Sequence, residues 1–252
     1  MSQIINYTDF QKVCLTIGQA IAVQNNPSAK IPAYLIHLLF NQDLNSMQKI
    51  MTKKDYFVSS AQLQSNHTVE EILQKQLLTV INFPRKQIGK VQSDCLVTGV
   101  QKATGTSDEK RESTVFMTTS CPVDCGARVG ILAKKELITT NIRNLEWDDF
   151  TKLDLRIGTL EQLTKVEHLQ EIQRVVFQIC LGNEVKSCLG LLQPNVDTTT
   201  FLGKQVLVLT NLNQPSKQQH LEASDIDTIL CTVGGEAVLM PGKPVENGFR
   251  LA

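Results

Sequence analysis

The sequence predicts a mainly β chain of two tandem five-stranded barrels, each with a short helix before its fourth strand. Three observations lead there. The chain has 252 residues, enough for two small domains at roughly 100–150 residues each. It repeats itself once along its length. Its apolar residues fall in short alternating or apolar runs of strand length, with no long helical period.

The repeat is carried by four blocks in one order. DFQKVCLTIG at 9–18 matches DFTKLDLRIG at 149–158 in six of ten columns: Asp9/Asp149, Phe10/Phe150, Lys12/Lys152, Leu15/Leu155, Ile17/Ile157 and Gly18/Gly158. Asn66–Asn82 aligns with Asn195–Asn211, Ser93-Asp94 with Ser224-Asp225, and PVDCGARV at 122–129 with PVENGFRL at 244–251. The offsets are 140, 129, 131 and 122, so each change marks an insertion in one copy. Half 1 carries extra residues near Asn41–Phe57 and Gln101–Ser113, both polar as surface loops are, and half 2 carries two extra before Ser224. The boundary falls near Ala133–Trp147, giving expected domains at 1–135 and 146–252.

In half 1, Val13–Val23 alternates and reads as a long strand, with Tyr34–Phe40 as the second. Asn66 is placed to cap a short helix opening at Thr68-Val69-Glu70-Glu71 and reaching Lys75. Strands are expected at Leu77–Phe83, Cys95–Val100 and Val115–Thr118. Half 2 gives Leu153–Leu163, Arg174–Leu181, Val185–Leu191, Gln205–Asn211, Ile226–Val233 and Ala237–Met240. Around five strands with a helix before the fourth is the OB barrel. Gly18 and Gly158 fit barrel bends better than ligand contacts.

Composition narrows the function. Hydrophobic residues make 42% and charged residues 20%, which excludes a disordered or collagen-like chain. The start has no basic stretch leading into a long apolar run, and no apolar run reaches membrane-spanning length, so neither a secretory signal nor a membrane span is expected. Net charge is zero, which argues against indiscriminate nucleic-acid binding. The zero hides an asymmetry: residues 1–144 hold 16 Lys/Arg against 11 Asp/Glu, net +5, and the remainder 9 against 14, net −5. That difference reads either as drift between two solvated surfaces or as halves that dock on each other. Seven cysteines, mostly inside apolar runs, and four scattered histidines give no metal-ligand spacing and point to a reducing, cytoplasmic compartment. No cofactor is expected. There is no Gly-rich phosphate loop, no G-x-S-x-G elbow and no H-E-x-x-H, so an enzyme is not expected.

The motifs resemble the tRNA-binding-domain family, which includes free-standing tRNA-binding proteins, the CsaA-type chaperones and appendages of methionyl- and phenylalanyl-tRNA synthetases. Half 2 keeps the family's opening pattern as Asp149, Phe150, Lys152, Asp154, Arg156, Ile157 and Gly158, where half 1 has Cys14 and Thr16 at the Asp and Arg positions. Half 1 is similar to the CsaA branch through Lys30-Ile31-Pro32-Ala33-Tyr34, Ser59-Ser60-Ala61-Gln62, Asn82-Phe83-Pro84-Arg85-Lys86-Gln87-Ile88-Gly89 and the segment from Ser93. Half 2 replaces the Asn-Phe-Pro block with Asn211-Leu212-Asn213-Gln214-Pro215-Ser216-Lys217.

The resemblance implies non-catalytic binding of tRNA or structured RNA by an intrachain pseudo-dimer of OB domains. The alternative it leaves is a CsaA-type chaperone or scaffold that binds unfolded peptide or an aminoacyl-tRNA synthetase. RNA needs cations for phosphates and polar groups for sugars and base edges. The implied contacts are Lys30, Asn82, Arg85, Lys86, Lys90 and Ser93 in half 1, and Arg156, Asn211, Lys217 and Ser224 in half 2. Each also has a structural reading: Arg85 and Lys86 as a solvated turn, Asn82 and Asn211 as turn caps, Arg156 as the partner of Asp154. Aromatics are 5%, and Tyr34 and Phe83 alone lie in the resembling loops. So few stacking platforms favour recognition of a folded RNA by shape and backbone.

Overall fold

The computed structural model describes residues 3–40, 56–104, 111–136, 144–213, 226 and 228–252. Half 1 runs as helix α1 (Tyr7–Lys12), β1 (Leu15–Asn25), β2 (Tyr34–Leu39), β3 (Phe57–Ala61), helix α2 (Val69–Ile72), β4 (Gln76–Val80), β5 (Lys86–Ile88), β6 (Val91–Ser93), β7 (Leu96–Val97), β8 (Gly99–Thr104), β9 (Arg111–Thr119) and β10 (Val129–Gly130). Half 2 runs as helix α3 (Trp147–Thr151), β11 (Leu155–His168), β12 (Gln173–Cys180), β13 (Val185–Leu192), a 3-10 turn at Thr198–Phe201, β14 (Gln205–Leu209), β15 (Thr228–Leu230), β16 (Thr232–Val233) and β17 (Ala237–Pro241). The chain is mainly β, as the short apolar runs predict.

Strand chemistry explains the sheets. Along β12, Gln173, Val175, Phe177 and Ile179 are buried and the residues between them are half-buried, the period of two that a one-sided sheet imposes. In half 1 the strand order is β3-β2-β1-β4-β7, and in half 2 the order β11-β12-β13-β15-β14 closes into a barrel. Closure in half 2 uses backbone pairing of Cys188 with Thr228 and Leu189 with Ile229. At the corresponding seam of half 1, the Ser59 hydroxyl does the joining: it donates to the Cys95 carbonyl at 3.0 Å and accepts from the Val97 amide at 3.3 Å.

Gly18 and Gly158 are both needed for close packing across their barrels. A Cβ on Gly18 would lie 2.7 Å from the Phe40 ring, and one on Gly158 2.7 Å from Ile179. The bends come a little later, at register shifts between Ala20 and Ala22 and between Leu160 and Gln162.

The helix before β4 exists but is capped by Thr68, not Asn66. The Thr68 hydroxyl accepts from the Glu71 amide and the Glu71 carboxylate accepts from the Thr68 amide, a capping box that Asn66 has no residue to complete. In half 2 the equivalent element is only a 3-10 turn, capped by Asp197. Its three consecutive β-branched threonines disfavour a longer helix.

Three apolar clusters hold the molecule. One fills the barrel of half 1 around Ile36, Leu77 and Phe116, and one fills that of half 2 around Phe177, Ile179 and Val206. The third joins the halves and uses the same repeat positions from each: Leu15 and Leu155, Ile17 and Ile157, Leu78 and Leu207, Val80 and Leu209, Met117 and Leu239. The strands carrying them are therefore buried on both faces. Two ion pairs cross between the halves among the described residues, Lys12–Asp149 at 3.7 Å and Lys243–Glu71 at 2.9 Å, so apolar contact outweighs the +5/−5 charge difference in joining them.

The backbone bonds between the halves are reciprocal. Ile5 donates to the Asn211 carbonyl at 2.9 Å, and its repeat counterpart Leu145 donates to the Asn82 carbonyl at 3.1 Å. β10 of half 1 pairs with β16 of half 2, while Leu251 bridges to Val100. β9 pairs with β17, with Thr118 opposite Met240, its own counterpart in the repeat.

Candidate nucleic-acid interface

Three of the four half-1 motifs, those at 59–62, 82–89 and from Ser93, meet at one cleft of about 390 Å3. Its walls include Ser60, Ala61 and Gln62 from the end of β3, Phe83 and Pro84 after β4, and Lys86 and Ile88 from β5. Alternation along β5 turns Lys86 and Ile88 to one side and Gln87 away. The β5–β6 hairpin was not foreseen from the sequence. Its tip is Gly89, with φ of +61°, where a Cβ would lie 2.2 Å from the Ser28 carbonyl oxygen. Glycine is thus what lets the hairpin lie against the 26–33 loop.

That loop is held by Asn26. Its Oδ1 accepts from the Ser28 amide and hydroxyl, and its Nδ2 donates to Ser60 Oγ at 3.0 Å. Ser28 Oγ in turn accepts from the Lys90 amide at 3.0 Å. Lys30 and Lys90 are both exposed on these adjoining loops, with Lys86 at the cleft. Arg85 lies exposed beside them, its Nε donating to Asp94 Oδ1 at 2.9 Å, while Asp94 Oδ2 accepts from the Val58 amide. The guanidinium is thus held in an ion pair while about half of the side chain stays in solvent.

Half 2 supplies the rest of the cleft. Trp147, on α3, stacks on Phe83 with ring centres 5.7 Å apart and packs on Phe150 at 5.5 Å. It remains 55% exposed and lines the cleft together with Ala252. Sequence reasoning missed Trp147. The available signal was the repeat, which places an aromatic three residues before the shared Phe in each copy, Tyr7 and Trp147.

Several expected contact residues have structural duties instead. Asn82 Oδ1 accepts from the Cys14 amide at 3.0 Å and its Nδ2 donates to the Lys12 carbonyl at 2.8 Å. Asn211 repeats this on Asp154 and Lys152 at 2.9 and 2.8 Å. Both asparagines are buried and tie β4 and β14 to the segments that follow α1 and α3. Ser93 is buried too, its hydroxyl donating to the Cys95 carbonyl and accepting from the Ser60 amide. Arg156 forms a two-pronged pair with Asp154, at 2.9 and 3.0 Å, and Arg250 adds a third bond at 3.0 Å. Hydrogen bonding to Asp154 raises the Arg156 pKa further. In half 1, Cys14 stands for that carboxylate, and Arg128, the counterpart of Arg250, pairs with Glu136 at 3.8 Å. Tyr34 is core: it is buried, and its hydroxyl donates to the His67 carbonyl at 3.1 Å. Lys217 and Ser224 lie outside the described residues. Among the described residues, no three His, Cys, Asp or Glu side chains gather as metal ligands, and no helix is long and apolar enough to cross a membrane.

The counterpart of the cleft in half 2 is differently filled. The linker from Ile131 lies against it. Gln193, the counterpart of Gln62, donates through Nε2 to the Ala133 carbonyl at 3.0 Å. A Cβ on Gly235 would lie 2.7 Å from Ala133 Cα. Ile131 is fully buried in the cluster that joins the halves.

Comparison with known proteins gives a consistent picture. The chain is 31% identical over 130 residues, half its length, to a methionine–tRNA ligase of Thermococcus onnurineus, of which it covers 17%. It is 30% identical over 108 residues to a methionine–tRNA ligase of Bacteroides fragilis, covering 43% of the chain and 16% of that protein. The resemblance to the tRNA-binding-domain family is borne out. The chain spans about a sixth of the length of these curated relatives. No family model matches it. Among solved structures, it is similar to chaperone CsaA from Bacillus anthracis str. Ames at 22% identity, over 49% of this chain and 96% of that one, with a TM-score of 0.37.

Proposed function

We propose that the chain binds tRNA or another structured RNA without catalysing a reaction on it. The two halves, taken as domains 1–135 and 146–252, act as an intrachain pseudo-dimer with one working face. The observation that carries this reading is the cleft of half 1. Lys86 lines it beside the aromatic surface of Phe83 and Trp147, Lys30 and Lys90 are exposed on two adjoining loops, and Arg85 is paired with Asp94. Cations at fixed spacing suit phosphates, and flat apolar surface suits bases. The relatives act on tRNA by their names, and the matched share of them is small, which suits an appended binding module.

The test is a salt titration of binding to bulk tRNA, comparing the intact chain with Arg85→Ala/Lys86→Ala. Each lost phosphate contact should flatten the log–log salt slope by roughly 0.7–0.9. No binding above background at low salt would end the reading.

One observation favours a second reading, capture of a short apolar peptide. The counterpart face of half 2 holds a short apolar segment of this same chain, Ile131-Leu132-Ala133, with a carbonyl on Gln193. A peptide of that sequence, added to the intact chain, tests whether half 1 accepts such a segment through Gln62.

A further inference from the structure

We infer that Trp147 is the base-stacking platform of the half-1 cleft, so that the RNA site is composite, with its cations from half 1 and its aromatic face from half 2. The inference rests on the RNA reading above and adds the chemistry of the contact: an unstacked nucleobase, presented by a single-stranded stretch of the RNA.

Four observations carry it. Trp147 has 55% of its surface in solvent, unusual for the largest apolar side chain. It is not loose, because Phe83 stacks on it at 5.7 Å with 29° between planes and Phe150 supports it at 5.5 Å. A ring backed by two rings presents its outward surface in a fixed orientation. That surface lines the same cleft as Lys86 and Pro84. Lys86, in the same cleft, can hold a phosphate flanking a base stacked on the indole, while the ring itself is indifferent to base identity.

The half-2 counterpart cannot offer the same face. Tyr7 stands where Trp147 would, and it lies with Leu132 and Lys134 of the linker around a gap of only about 10 Å3. Among the described residues, the half-1 cleft is thus where the two halves combine such groups.

Trp147 is the single tryptophan of the chain, so its emission reports on this cleft alone. The experiment titrates the intact chain with bulk tRNA and with a short single-stranded oligonucleotide, following emission and, in parallel, a gel shift. The expected result is quenching that saturates with the gel shift. Trp147→Leu should weaken tRNA binding about 5- to 150-fold, the range for loss of one stacked base, while Trp147→Phe stays within about threefold. Because the residue is half-exposed, both variants should melt close to the parent, which a thermal scan checks. If tRNA shifts in the gel but emission is unchanged and Trp147→Leu binds as the parent does, the platform is wrong and the RNA reading stands. If tRNA does not bind at all, both fall together. Quenching by an Ile-Leu-Ala peptide, with none by RNA, also overturns the inference and turns the cleft into a peptide site.

Discussion

Half 1 and half 2 are copies of one barrel that have kept opposite properties. Half 1 leaves its cleft open and lines it with Lys86, Phe83 and a borrowed Trp147. Half 2 lays the linker Ile131–Ala133 over the same face. At the far end the roles reverse. Half 2 braces its start with Asp154 between Arg156 and Arg250, and half 1 has Cys14 and Thr16 at the positions of Asp154 and Arg156 and turns Arg128 to Glu136. One copy carries the open cleft and the other the ion-paired brace, which a single chain permits because neither copy has to do both.

The largest test of that division is Asp154→Ala. It removes a carboxylate that is 4% exposed and leaves two guanidinia facing each other. Loss of about 3 kcal/mol in urea unfolding is expected, the low end for a broken buried pair because both guanidinia keep some solvent. Cys14→Ala, at the equivalent point of half 1, should change stability by about 1 kcal/mol or less. Equal effects would erase the contrast.

Next is pH. His67 of half 1 is buried against Phe116, and burial, aided by nearby Lys243, holds its pKa down at about 4, with Glu71 opposing. The folded imidazole is neutral while the unfolded one takes a proton below its ordinary value. Stability from this group is thus present above about pH 6.5 and lost as pH falls towards 4, by up to about 3 kcal/mol. The counterpart in half 2 is Val196, which does not titrate. His67→Leu should flatten the pH–stability curve between those limits; an unchanged curve would remove His67 as its source.

Gly235→Ala should cost about 2 kcal/mol, since the residue sits at φ of +74° and a methyl would meet Ala133. It should also lift the linker, seen as faster tryptic cleavage at Lys134 and Lys135. Unchanged cleavage would mean that the linker does not depend on that contact. The smallest effect concerns the open face: Arg85→Ala/Lys86→Ala should weaken tRNA binding on the order of tenfold at moderate salt, with folding unchanged.

How much of this could be read from residues alone depended on distance along the chain. The strands were legible because alternation is local, as in Arg174–Leu181. The repeat was legible because both copies kept Phe10/Phe150 and Gly18/Gly158. The duties of Asn82, Asn211 and Ser93 were not, because a buried amide that holds Lys12, 70 positions away, looks the same in sequence as one facing RNA. Trp147 was hidden for the same reason: its stacking partner Phe83 belongs to the other copy. The helix cap was misplaced by two residues because Asn66 and Thr68 are both good caps, and the deciding Glu71 is three beyond only one of them.

The exchanged starts of the two halves also set a schedule for synthesis. Ile5 waits for Asn211, and the apolar patch around Leu15, Ile17 and Met117 waits for Leu155, Ile157 and Leu239. At about 5–20 residues per second, half 1 leaves the ribosome on the order of ten seconds before its cover is made. During that interval the nascent chain carries a sticky surface that no finished molecule displays. Because both partners sit on one polypeptide, the cover then arrives at a rate that does not depend on how much protein the cell holds.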